Sequence, residues 1–197
     1  MTLNARFRPF AFLLALFLAL PATAYEFPLS PTAIRQAYFL GIRQPSLGAT
    51  FLPEYSHKVP SLKAGAFTSE VRIETPFTDV AVYSSRAIGC SAQDAVKDFF
   101  GKPAEFRMYL DICYMTNAPP NAVRIQVIQN RKEIPPQSED RSAYYPATDE
   151  YTFMPSIGEQ IQLRFKADKM DSSPLTIRID TPDGQHAEME FDLQTLR

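Results

Sequence analysis

The chain has no tryptophan, seven glycines, two histidines and two cysteines in 197 residues. Each shortage removes a class of function. Without tryptophan the largest aromatic platform for stacking a sugar is missing, and that role falls to nine tyrosines. The two imidazoles, His57 and His186, offer little for acid-base chemistry. His57 lies in EYSHKVP near Glu54 and Ser56, but neighbours along a chain do not make a triad. Strand alternation places His186 on a wet face beside Glu188, so both histidines read as surface residues. The sequence also lacks G-x-S-x-G, H-E-x-x-H, a phosphate-binding P-loop and a dinucleotide-binding glycine pattern. Basic residues are scattered singly, which argues against a nucleic-acid partner. Scarce glycine beside seventeen prolines implies stiff, extended connections, as in a β-rich fold.

The one long apolar run lies at the N-terminus. Arg6 and Arg8 precede FAFLLALFLAL and then PATA, with Ala22 and Ala24 as the small residues before a cut. Positive charge, short apolar core and A-x-A make residues 1–24 a secretory signal peptide. The run from Phe10 to Leu20 is shorter than the roughly 20 residues a spanning helix needs, and Pro21 closes it. Cleavage near Ala24 places the mature chain in the periplasm or outside the cell. Losing Arg6 and Arg8 takes the formal charge from −2 to −4. In an exported chain, Cys90 and Cys113 are expected to form a disulfide. Closing a loop of roughly 24 residues in this way is worth about 3 kcal/mol.

Residues 25–66 read as a helical and irregular segment that packs on a β-sandwich formed by residues 67–197. In SPTAIRQAYFLGIRQ, Ser30 is an N-cap, Pro31 suits the first turn, Ile34, Ala37 and Tyr38 share a face, and Gly41 marks the end. From Thr68 the period becomes two. SEVRIETPF and TDVAVYSS both read as strands, with Val71, Ile73, Val80 and Val82 on dry faces. CSAQDAVKDFFGKP reads as a second helix capped by Ser91. Alternation then predicts strands through Phe106–Tyr114, Val123–Val127, Ile161–Phe165, Leu175–Ile179 and Ala187–Leu193, the last two joined by a turn at TPDGQ.

This pattern predicts an all-β fold: an antiparallel sandwich, immunoglobulin-like or C2-like, with two short accessory helices. A lipocalin-like barrel uses the same alternation and is the alternative.

Residues 133–153, EIPPQSEDRSAYYPATDEYTF, look irregular because Pro135, Pro136 and Pro146 oppose regular structure and Ser138, Glu139, Asp140, Thr148 and Asp149 favour turns. Here Tyr144, Tyr145 and Tyr151, with Glu139, Asp140 and Asp149, form a candidate partner-binding loop. Together with Glu150 the carboxylates are hard oxygen donors, but without D-x-D-x-D-G spacing no metal site is assigned. No catalytic residue and no cofactor is assigned either. The expected function is that of a non-catalytic binding or structural module with a protein partner in the cell envelope or outside the cell. The alternatives are a small secreted hydrolase working through the loop carboxylates and a carrier of an apolar ligand.

Overall fold

A computed structural model describes residues 25–44, 53–58, 67–87, 89–114, 123–144, 157–182 and 184–196. The chain is mostly β, with two antiparallel sheets and few helices. The larger sheet holds β1 (Ser56–His57), β2 (Phe67–Glu74), β3 (Glu105–Tyr114), β7 (Ile157–Lys166) and β6 (Ser138–Tyr144), in that spatial order. The smaller holds β5 (Lys132–Glu133), β4 (Arg124–Gln129), β8 (Leu175–Asp180) and β9 (His186–Phe191), again in that order. The alternation read from the sequence decides which side of each strand is dry. Val71 and Ile73, Phe106, Met108, Leu110 and Ile112, and Ile161, Leu163 and Phe165 bury one face of the larger sheet. Val127, Leu175, Ile177, Ile179, Ala187 and Phe191 bury one face of the smaller, and all belong to one continuous core. Two one-sided sheets sharing a single dry interior give a sandwich-like arrangement.

Two specific contacts tie the connection between β7 and β8 to the interior. Tyr25 packs its ring edge-on against Phe106 at 6.1 Å, donates its hydroxyl to the Ala167 carbonyl at 3.0 Å, and donates its backbone N–H to the Leu193 carbonyl. Burial pushes the Tyr25 phenol well above its ordinary pKa, with Asp168 adding to the effect. Gln129 is buried on β4 but fully engaged: its amide nitrogen donates to the carbonyls of Asp171 and Ser173, and its oxygen accepts from the Asp171 N–H. That side chain fastens the turn leading into β8.

Among the described residues three α-helices, one more than expected, form a second small core. They are α1 (Pro31–Arg43), α2 (Pro76–Arg86) and α3 (Ala92–Phe99). Segment α2 is TDVAVYSS, expected to be a strand. The structure corrects this, and the reason is local. Thr75 and Thr78 form a reciprocal capping box, Pro76 occupies the first turn, and Phe77, Val80, Ala81 and Ser84 recur at helical spacing on a buried face. Val80 and Val82 gave a misleading period of two. Gly41 does not end α1 but lies inside it, at the crossing with α2. A side chain there would overlap the Ala81 carbonyl oxygen, so the helices approach this closely only because position 41 has none.

The region expected to be an irregular loop, residues 133–153, is corrected as far as Tyr144, and residues 145–153 lie outside the described residues. Residues 132–133 form β5, and 138–144 form a full edge strand along β7 from Ser138 opposite Arg164 to Tyr144 opposite Gly158. Pro135 and Pro136 occupy the crossing from one sheet to the other, where Ile134 N–H still reaches Val127 and Gln137 N–H reaches Arg164.

The expected disulfide is absent: Cys90 and Cys113 are both free. Cys90 borders a depression with Tyr109 and Arg107, whereas Cys113 lies four residues beyond Tyr109 on the same strand. At ~3.3 Å per residue Cys113 lies about 13 Å along β3 from Tyr109. The thiols should therefore count separately. A thiol reagent is expected to label the half-buried Cys90 in the native protein and Cys113, buried on β3, only after unfolding. Burial, reinforced by Asp111, pushes the Cys113 thiol pKa up and slows it further. Finding no reactive thiol in denaturant without reductant would mean a disulfide after all.

Candidate functional site

The outward face of the larger sheet carries the most organised set of polar side chains among the described residues. Register builds it. Arg72 on β2 stands opposite Tyr109 on β3, which stands opposite Gln162 on β7, which stands opposite Asp140 on β6. Each position is an outward member of an alternating strand, so four separate segments place one row of side chains straight across the sheet. The next row runs Glu70, Asp111, Gln160, Ser142 in the same way. Both rows line a pocket of about 350 Å³.

Mutual contacts hold the first row in place. The Arg72 guanidinium lies over the Tyr109 ring, 4.6 Å from its centroid. Tyr109 donates its hydroxyl to Glu74 Oε2 at 3.0 Å and accepts from Gln162 Nε2 at 3.2 Å. Arg164 then donates to Asp140 Oδ2 at 3.0 Å and to Gln162 Oε1 at 3.5 Å. The Tyr109 pKa is raised, first by burial and then by the Glu74 carboxylate, so it stays a neutral donor. At one end Arg107 gathers Glu105 at 3.0 Å, Asp79 at 3.3 Å and Glu74 at 3.8 Å. The result is a fixed aromatic surface flanked by donors and acceptors whose positions are set before anything binds.

The candidates read from the sequence fare unevenly. Asp140 faces outward into this pocket and pairs with Arg164. Glu139 is its neighbour on β6, so it points to the opposite face, where it binds Arg141. The two carboxylates are thus separated by the strand rather than gathered. Tyr144 is the last residue of β6, while Tyr145, Asp149, Glu150 and Tyr151 lie outside the described residues. Among the described residues no three His, Cys, Asp or Glu side chains are grouped to hold a metal ion. Of the histidines, His186 pairs through Nδ1 with Asp180 at 2.7 Å, and His57 sets its ring edge-on to Phe191 at 4.4 Å. Neither lines the pocket.

Arg72, Tyr109 and Gln162 were missed as a site. Their sequence signal was only that of wet positions on three strands, and nothing short of the pairing register brings them into one row. The chain matches no protein-family model and no curated protein.

No helix among the described residues is long and apolar enough to cross a membrane.

Proposed function

We propose that the chain is an exported, non-catalytic β-sandwich of the immunoglobulin-like or C2-like kind, acting as a binding or structural module in the cell envelope or outside the cell. Its partner is a protein, and the outward face of the larger sheet receives a polar segment of it. The observation that carries this reading is the cross-strand row of Arg72, Tyr109, Gln162 and Asp140, tied together over a pocket of about 350 Å³. Four strands spaced by ~4.8 Å give this row a span of about 14 Å, enough for four or five residues of an extended segment. Arginine and tyrosine are the side chains that most often dominate protein recognition when locked in place. The signal-like N-terminus supports export.

The test is cross-linked capture from envelope extracts using the chain and two variants. Arg72→Ala with Tyr109→Phe should abolish capture of a specific partner while the protein still unfolds in one cooperative transition, at a somewhat lower midpoint. Arg178→Ala, on the outward face of the smaller sheet, should leave capture intact. Capture that survives the first pair, or turnover of a substrate that depends on Asp140, sinks the reading.

A further inference from the structure

One carboxylate oxygen beside the row has two suitors. Glu74 Oε2 accepts the Tyr109 hydroxyl at 3.0 Å, and the same oxygen lies 3.8 Å from Arg107 Nη1. At that distance the charges attract but share no hydrogen bond. Nη1 donates instead to Asp79 Oδ1 at 3.3 Å, while Nε donates to Glu105 at 3.0 Å. Arg107 and Glu74 stand directly opposite each other on β3 and β2, so register alone brings them together. The Asp79 carboxylate draws the guanidinium aside.

Asp79 belongs to the other half of the molecule. It lies in the first turn of α2, whose Phe77, Val80 and Ala81 pack in the helical core. An acid there balances the positive end of the helix and needs no partner elsewhere. This one nevertheless reaches the sheet. Asp79, Arg107, Glu74 and Tyr109 line one depression of about 690 Å³, which shares Arg72 and Tyr109 with the pocket under the row. Without the Asp79 charge, Glu74 is the carboxylate left to Nη1. A guanidinium prefers to take a carboxylate two-pronged and in plane, which would turn the Glu74 oxygens toward Arg107 and away from the phenol.

We propose that Asp79 is a positioning residue for the binding row: by holding Arg107 it leaves Glu74 to the Tyr109 hydroxyl, and so fixes the ring on which Arg72 lies. This role rests on the sheet face being the partner surface, and it gives the helical layer control over that surface. The experiment is carbon-13 spectroscopy of the protein labelled at tyrosine Cζ, with the Tyr109 resonance assigned by its loss in Tyr109→Phe. Asp79→Asn should move that resonance upfield, as loss of a carboxylate acceptor does. Glu74→Gln alone should move it the same way, and adding Asp79→Asn to it should move it no further. Adding Arg107→Gln to Asp79→Asn removes the competitor and should return the resonance close to its original place. If the asparagine variant folds poorly, Asp79→Ser, which suits the start of a helix, takes its place. A resonance that Asp79→Asn leaves unmoved overturns the proposal, as does an equal shift in the Glu74→Gln background or no recovery with Arg107→Gln. Partner capture tests the sheet face separately, and its failure leaves these shifts unchanged because they are read on the protein alone.

Discussion

Gly41→Ala is expected to destabilise the protein by about 3 kcal/mol, although alanine favours a helix over glycine by about 1 kcal/mol. In an isolated α1 peptide the substitution should raise helicity. In the folded chain the added methyl would overlap the Ala81 carbonyl oxygen and sit 3.0 Å from Ser84 Cβ. A backbone carbonyl cannot rotate away as a side chain can. The only relief is to move α1 off α2, which loosens the contacts of Ile34, Ala37, Phe77 and Val80. The denaturant midpoint of the full domain measures this, with Ser84→Ala as the control. Ser84 Oγ is buried at the same crossing with no hydrogen-bond partner, so its removal should be neutral or stabilising. A Gly41→Ala protein as stable as the parent would show that the helices do not cross this closely.

The second large effect concerns Arg141→Met. Arg141 lies on the inner side of β6, donates to Glu159 Oε2 at 2.9 Å and to the Val123 carbonyl at 2.8 Å, and also binds Glu139. It thereby joins the edge of one sheet to the entry of the other. Glu159 is only 2% exposed, so losing its cation leaves a carboxylate in the interior, at a cost of about 3 kcal/mol. The informative comparison is the double change to Arg141→Met and Glu159→Leu. Removing both charges and replacing them with apolar volume should recover most of the loss. Equal losses in the single and double variants would assign the effect to packing and to the Val123 carbonyl instead. Chemical denaturation of the three proteins separates these outcomes.

Much of the fold was legible because burial writes itself into strands as alternation. Phe106, Met108, Leu110 and Ile112 could be placed on one dry face before any coordinates, as could Leu175, Ile177 and Ile179. The failures have physical causes. In α2, β-branched Val80 and Val82 imitate a strand, and the deciding signal was Thr75–Pro76 with Thr78, a cap rather than a period. Along β6 no alternation of apolar and polar residues exists to be read. Its outward positions Ser138, Asp140 and Ser142 are polar, and its inner positions Glu139 and Arg141 are charged. The candidate surface was legible only as a set of wet positions, since a row such as Arg72, Tyr109, Gln162 and Asp140 exists in the register and not in any one segment. The cysteine pair failed because parity and compartment say nothing about distance.

The charged inner side of β6 has one more consequence, for what the protein avoids. Among the described residues β6 pairs only with β7, so it is a sheet edge, the kind of border along which identical chains stack into fibres. A strand added from another copy would extend the dry interior across Glu139 and Arg141, and no apolar surface continues there to receive it. The side chains that lock the two sheets together at this border also discourage the protein from polymerising along it.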